Sequence, residues 1–462
     1  MMRKLIGDKA FYRRVLALML PIMIQNGITN FVNMLDNVMV GSVGTNEMTG
    51  VAVVNQLIFV FNLCIFGVVS GAGIFGAQYF GSGDHEGVRH TFRFKILSGL
   101  LITVLAILLF VFGGEWLIRL YLQGEGDATA ATASLGFAQD YLRVMIIGLI
   151  PYTIVQCYSG TLRECGQATP PMAAGVIAVL INLILNYVLI FGHFGAPKLG
   201  VVGAAIATVI SRYIELVIVA VWTRTHTDKA SFIVGAYRSA YVPHQLVGRI
   251  LAKGFPLMLN ETMWAAGMAT LSQCYSTHSL SVVAAYNIST TFFNVFAVAF
   301  LSVGVTIGII LGQELGANEC DKAREDSRKL IFFSVVLSIG IGIAYAIAAI
   351  WIPLIYNTTD DVRLLATRFM QLSALAMPFD AVANSSYFTL RSGGKVLITF
   401  LFDSGFVWGI CVTTAYALSA FTSLSILWVF FIIQMLNLVK AVAGIILVRK
   451  DVWIKNIVAE QA

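Results

Sequence analysis

Charge is what this chain has least of. Asp, Glu, Lys and Arg make up 12% of its 462 residues, about half the share with which a soluble domain covers its core. The shortage excludes an ordinary water-soluble globule, and a mean hydropathy of +0.83 points the same way. Paired cysteine is missing as well. Cys64, Cys157, Cys165, Cys274, Cys320 and Cys411 form no CxxC spacing and most lie in apolar runs, so they read as small buried hydrophobes, not as a disulfide framework or a metal site. There is no HExxH, GxSxG or P-loop spacing, and His85, His90, His193, His226, His244 and His278 all sit in or beside predicted loops. Such a set offers no catalytic centre, so neither an enzyme nor an organic cofactor is expected.

What the chain does have is long apolar runs. A helix needs about 20 predominantly apolar residues to cross the hydrocarbon layer, and runs of that kind recur near 14–40, 50–78, 94–114, 138–162, 170–192 and 200–222, then near 249–275, 282–312, 330–353, 365–390, 395–418 and 422–448. The expectation is an all-α integral membrane protein with twelve transmembrane helices. The apolar segment after "MMRKLIGDKAFYRR" is too long for a signal-peptide core and lacks a small-residue cleavage pattern, so it is expected to stay as the first span. The net charge of +6 matters less than where it falls. Most basic residues, among them Arg13, Arg14, Arg89, Arg93, Arg224, Lys229, Lys322, Arg324, Arg449 and Lys450, lie on the side of the N-terminus, whereas Arg119, Lys198 and Arg363 lie opposite. Basic loops stay in the cytoplasm. Both termini are therefore expected there, in a multi-pass protein of the plasma (inner) membrane with no nucleic-acid partner.

The chain repeats itself. A shift of 235 positions carries Pro21 to Pro256, Gly73 to Gly308, Gln78 to Gln313, Gly81 to Gly316, Arg89 to Arg324 and Arg93 to Arg328 without a gap. Farther along, "LRECG" at 162–166 answers "LRSGG" at 390–394, after Pro151 and Pro378. Matched Pro, Gly, Gln and Arg are much harder to obtain by chance than matched apolar positions. Residues 1–222 and 248–462 are thus read as two related six-helix lobes, joined by a polar cytoplasmic linker at 223–247. Six is even, so both copies enter from the same side, with the pseudo-two-fold axis along the membrane normal and a cleft between the bundles.

Polar groups inside such runs need a partner, water or a purpose, because a mid-bilayer charge costs about 2.5–3.5 kcal/mol even on the lenient insertion scale. In the first span Thr29, Asn33 and Asp36 share one helical face, and Asn26, Asn30, Asn33 and Asn37 make an adjoining stripe. Asn182 and Asn186, one turn apart in the fifth span, face inward and are placed to meet the first. For the asparagines, interhelical hydrogen bonding stays open beside a role in binding. Glu261 lies well into the seventh span and Asp380 near the middle of the tenth, after Pro256 and Pro378, which free backbone carbonyls as further oxygen ligands. Two carboxylates that approach each other in a low-dielectric bundle favour a proton or a hard cation such as Na+ on at least one. Ion pairs to Arg212 or Lys440, both inside spans, are the structural alternative. Phe292, Phe293 and Tyr286 are candidate faces for a lipophilic cation.

"DNVMVG", "GAQYFGSG", "NLILNYVLIFG", Pro256 with Glu261, "LGQELGAN", "FDAV" and "LRSGGK", in this order over essentially the whole length, resemble the multidrug and toxic compound extrusion (MATE) family, NorM-like branch. The resemblance implies a V-shaped pair of six-helix lobes and export of organic cations and toxic compounds by antiport with Na+ or H+, with no cofactor beyond that gradient, by a monomer in the lipid bilayer. It also implies that Asp36 is the acidic ion site of the first lobe, and that Glu261 and Asp380 are the acidic pair of the second. Asn186 stands where some members have an aspartate, and Ala376 where some Na+-coupled members have a tyrosine, which leaves Na+ and H+ both open. A lipid-linked oligosaccharide flippase of the same two-lobe layout is the alternative. Its pyrophosphate would need more cations than Arg212 and Lys440.

Overall fold

The computed structural model describes residues 5–122 and 128–459; the side chains of residues 33, 34, 37, 38, 128 and 280 are outside the described set. Among the described residues there is no strand. The helices are α1 (Lys9–Gly41), α2 (Thr45–Gly81), α3 (His85–Leu122), α4 (Ala128–Glu164), α5 (Thr169–Phe191), α6 (Gly200–Thr225), α7 (His244–Ser276), α8 (Leu280–Gly316), α9 (Cys320–Ala348), α10 (Asp360–Ser392), α11 (Val396–Phe421) and α12 (Ile426–Arg449). Each expected span overlaps one long helix, although 170–192, 330–353, 395–418 and 422–448 overrun the ends of α5, α9, α11 and α12, and ten of the twelve helices are long and apolar enough to cross a membrane. α7 and α10 fall short because of their own polar residues. α7 carries Arg249, Lys253 and Glu261, and α10 runs from Asp360, Asp361, Arg363 and Arg368 to Asp380, Asn384, Ser385 and Ser386.

Proline sits inside α1, α4, α7 and α10, at Pro21, Pro151, Pro256 and Pro378. Each removes the N–H that would bond the carbonyl four residues back. For Pro378 that carbonyl is Ala374, and Gly342 of α9 packs so closely over it that an added Cβ would lie 2.9 Å from the oxygen. The repeated "LRECG" and "LRSGG" prove to be the same device twice. Each follows a long helix with a left-handed glycine, Gly166 at φ 79° and Gly394 at φ 71°, which reverses the chain where a side chain would be strained.

By contact the chain divides into two compact units, Ile24–Gly76 with Asp84–Met258, and Met1–Met23 with Ala77–Gly83 and Leu259–Ala462. In the first, α4 packs on α3 and α6, and α5 on α6. Its core includes Val54, Ile65, Ile118, Tyr141, Ile190 and Ala205. The polar stretch after α6 is anchored there. Phe232 is fully buried against Phe92, Arg93 donates to the carbonyls of Gly235 and Ala236 at 2.8 Å each, and the Tyr158 and Tyr237 hydroxyls meet at 2.6 Å. Burial and that hydroxyl contact push the Tyr237 phenol well above its ordinary pKa.

In the second unit α10 is the hub, packed on α8, α9 and α12, with Phe369, Met370 and Met377 fully buried. In lipid such packing relies on close contact, not on water exclusion, so small residues mark the tightest approaches. One approach is reciprocal. A Cβ on Gly81, at the end of α2, would overlap the Gln313 carbonyl, and a Cβ on Gly316, at the end of α8, would overlap the Gln78 carbonyl. The Gly and Gln pairs matched by the sequence repeat therefore cross each other symmetrically. The chain beyond α12 closes over this crossing. Trp453 is fully buried, Gln78 Nε2 donates to the carbonyls of Ser392 (3.0 Å) and Lys455 (3.2 Å), and the Ile457 N–H donates to Gln78 Oε1 at 2.8 Å.

Candidate functional site

In the N-terminal half the expected meeting of the first and fifth spans is present. Asn186 Nδ2 donates to Asp36 Oδ1 at 2.7 Å and to Asn182 Oδ1 at 3.1 Å. In the other orientation of the Asn182 amide the bond from Asn186 is given up, and Asn182 instead donates to Asp36 Oδ2 at 3.0 Å and accepts from Thr208 of α6 at 3.2 Å. The half-buried Asp36 carboxylate is thus served by amides, and among the described residues no Lys or Arg pairs with it. Amides suit an exchangeable site, since an Asn can turn to offer a donor to a carboxylate or an acceptor to a carboxylic acid. Asn33 lies on the same helix, but its side chain is outside the described residues, as is that of Asn37. Asn182 and Asn186 are both buried.

In the C-terminal half Glu261 is one member of a network across α7, α10, α11 and α12. The Tyr387 hydroxyl of α10 donates to Glu261 Oε1 at 3.4 Å. Asn260, the neighbour of Glu261, donates to Asp403 Oδ2 at 3.0 Å, and Ser404 Oγ donates to the Asn260 carbonyl at 2.7 Å. Lys440 Nζ donates to Asp403 Oδ1 at 2.6 Å. The backbone of α11 runs here in wide π turns over Leu401–Gly405 and Val407–Val412. Such widening is frequent at functional positions.

Among the described residues no hydrogen bond joins Glu261 to Asp380. On α10 the partner of Glu261 is Tyr387, seven positions after Asp380. The charged groups acting on Glu261 are Arg391 and Asp403, and the one acting on Asp380 is Lys440. Among the described residues no hydrogen bond or ion pair reaches the Asp380 side chain. Asp403 is tied instead to Asn260, the neighbour of Glu261 on α7. Lys440 bonds Asp403, and Arg212 bonds Glu215 at 3.2 Å, so neither alternative ion pair forms to Glu261 or Asp380. Tyr286 packs edge-on against Tyr275 and Phe430, Phe293 against Tyr345, and Phe292 against Tyr356. Among the described residues no three His, Cys, Asp or Glu converge on a metal position.

Two ion pairs, one buried on both sides and one on its acidic side alone, had no signal in the helical period. Lys95 of α3, fully buried, holds Glu164 of α4 at 2.6 Å and Thr161 at 3.0 Å, and Gly73 and Gly76 of α2 leave room for the carboxylate. Arg14 of α1 holds Glu314 of α8 at 2.7 Å and Gln313 at 3.1 Å. The trace left in the sequence was the glycines one turn apart at 73 and 76, opposite a helix end.

The MatE family model matches residues 21–188 and 256–412. "Probable multidrug resistance protein NorM" of Halalkalibacterium halodurans is 27% identical over 416 residues, 88% of each chain. "Multidrug resistance protein MdtK" of Pectobacterium atrosepticum is 27% identical over 373 residues, covering 80% of this chain and 79% of that one. Among solved structures, the "Outward-facing conformation of a multidrug resistance MATE family transporter of the MOP superfamily" superposes with a TM-score of 0.85 over 97% of both chains at 18% identity, which shows the fold. A duplicated all-helical chain, polar where its helices carry acids and matched through both halves, belongs to the MatE family, the multidrug and toxic compound extrusion transporters.

Proposed function

We propose that this chain is a secondary active exporter of lipophilic organic cations and similar toxic compounds, driven by antiport of Na+ or H+ and with no other cofactor. In this reading all twelve long helices span the plasma (inner) membrane of a monomer, with both termini cytoplasmic. α7 and α10 cross despite their polar residues because those residues turn away from lipid. The lobes are residues 1–222 and 248–462, with 223–247 between them.

The observation that carries the reading is the Asp380 carboxylate. It lies at the level of a helix hub, with no hydrogen bond or ion pair among the described residues, and the lysine beside it is already bonded to Asp403. An acid left without a fixed partner in such a place is matched to an exchangeable one. Asp36, with Asn33, Asn182 and Asn186, is the corresponding cation or proton site of the first half. Glu261, with Tyr387, adds a second acid in the other. The multidrug names of the NorM and MdtK relatives favour this over a lipid-linked oligosaccharide flippase.

The test is uptake of a fluorescent lipophilic cation by proteoliposomes under a Na+ gradient and, separately, a pH gradient. One of the two is expected to drive transport, and Asp380→Asn to reduce it at least about tenfold while the protein still folds in the membrane. Undiminished gradient-driven transport by Asp380→Asn contradicts the reading.

A further inference from the structure

Lys440 is a cation in the middle of α12, at a depth where a charge is rarely kept without use. Its side chain is 12% exposed. The ammonium is 2.6 Å from Asp403 Oδ1 and lies over two rings, 5.6 Å from the Phe402 centroid and 5.9 Å from the Phe406 centroid. Phe402 and Phe406, four positions apart, flank Asp403 on one side of α11. Asn260 holds the other carboxylate oxygen at 3.0 Å, which fixes the acid from behind. A carboxylate between two aromatic faces is what a protein offers an organic cation. Here the protein's own side chain occupies it.

The same lysine has a second anion within reach. α10 and α12 pack side by side: Gln434 bonds Ser373 at 2.9 Å, and ten residues on along α12, thirteen along α10, Gly444 abuts the Ser386 hydroxyl. Asp380 and Lys440 fall midway between these two contacts. The internal repeat gives the same placement independently. The 228-residue shift that carries "LRECG" to "LRSGG" carries Tyr152 to Asp380 and Arg212 to Lys440. In the first half those two positions touch, with the Arg212 guanidinium 5.0 Å from the centre of the Tyr152 ring.

We propose that Asp403, Phe402 and Phe406 form a cation-binding cage whose tethered resident is Lys440, and that an arriving lipophilic cation displaces the ammonium, which then moves to Asp380. This rests on the export reading and deepens it. With cargo in the cage, Asp380 is neutralised by Lys440 and has no charge for the coupling ion. With the ion on Asp380, Lys440 returns to Asp403 and closes the cage. Cargo and ion thus exclude each other through one lysine, without sharing a ligand.

The test is equilibrium binding of tetraphenylphosphonium to the purified full chain, with gradient-driven transport measured in parallel. Lys440→Met keeps the stem and removes the competitor, so binding is expected to tighten about tenfold while gradient-driven transport is lost. Asp380→Asn removes the refuge of the lysine and is expected to weaken binding about tenfold in the native background, and not at all in Lys440→Met. Equal weakening in both backgrounds places the cargo on Asp380 itself and overturns the proposal, as does unchanged or weaker binding in Lys440→Met. Phe406→Leu leaves every charge in place and tests the cage even where a charge variant fails to fold. A threefold to tenfold weaker binding is expected from the lost cation–π contact, and unchanged affinity overturns the cage. If these binding shifts appear but neither gradient drives transport by the native chain, the cage stands and the export reading falls.

Discussion

The first helix of each half is the same element used twice, and the two copies carry their acid at different levels. The 235-residue shift places Leu271 where the first half has Asp36, and places Asn26 where the second has Glu261. Ten residues separate the two levels, about 15 Å along a helix. Other charges diverge as well. Lys95 and Glu164, a buried ion pair in the first half, answer to Leu330 and Ser392 in the second. Arg14, bonded to Glu314, answers to Arg249, whose guanidinium lies 5.6 Å from the centre of the Phe75 ring. By contrast, the four helix prolines, the left-handed Gly166 and Gly394, and the crossing of Gly81 with Gly316 occur in both halves. Duplication kept what shapes the backbone and let the charges drift into separate jobs.

The hardest blow to this contrast comes from the buried pair. Lys95→Met, by stranding Glu164, is expected to cost about 3–5 kcal/mol of stability, and Lys95→Met with Glu164→Gln to recover most of it. Thermal unfolding in detergent measures both. A harmless Lys95→Met would mean that the first half needs the pair no more than the second half, with its Leu330, does. Next come the shared glycines. Gly81→Ala and Gly316→Ala each press a methyl onto a carbonyl and are expected to cost about 1–3 kcal/mol, by similar amounts. Clearly unequal losses in the same unfolding assay would break the symmetry of the crossing.

Asp36→Asn sharpens the functional side. It keeps shape and removes charge, so stability is expected to change by less than about 1 kcal/mol, because among the described residues no cation pairs with that carboxylate. Ion-driven uptake in proteoliposomes is expected to drop severalfold, and unchanged uptake would leave the first half without an ion site. The smallest effect is expected from Arg212→Met, which gives up a partly exposed cation–π contact and an ion pair three residues away, about 0.5–1 kcal/mol. Its transport should stay near native, unlike that of the corresponding Lys440→Met. Equal losses would show that the two cations never diverged in role.

The sequence was legible wherever one residue type has one physical use. Pro21 and Pro256, or Gly81 and Gly316, announced the duplication because nothing else serves at a kink or a crossing. Asn182 and Asn186 were placed toward Asp36 because helical period tells which face a residue occupies, and Asn186 does reach it. Period is silent on which neighbour fills that face. Glu261 was therefore expected to approach Asp380, whereas Asn260 and Tyr387 tie its surroundings to Asp403. Lys95, at the very start of the expected span 94–114, gave no hint of its pairing, since its partner is 69 positions away. The π turns of α11 left no trace either, because "LFDSG" and "VWGICV" read as ordinary apolar helix.

Gln78 has a timetable as well as a set of partners. Its amide at the end of α2 is completed by Ile457, 379 residues later in the chain. At about 5–20 residues per second of synthesis, that is roughly 20 to 75 s during which the second helix is finished and its amide must be served by water or headgroups. The second helix is stitched by residues made 379 positions after its own glutamine, so this closure follows long after that helix is complete, however early it inserts.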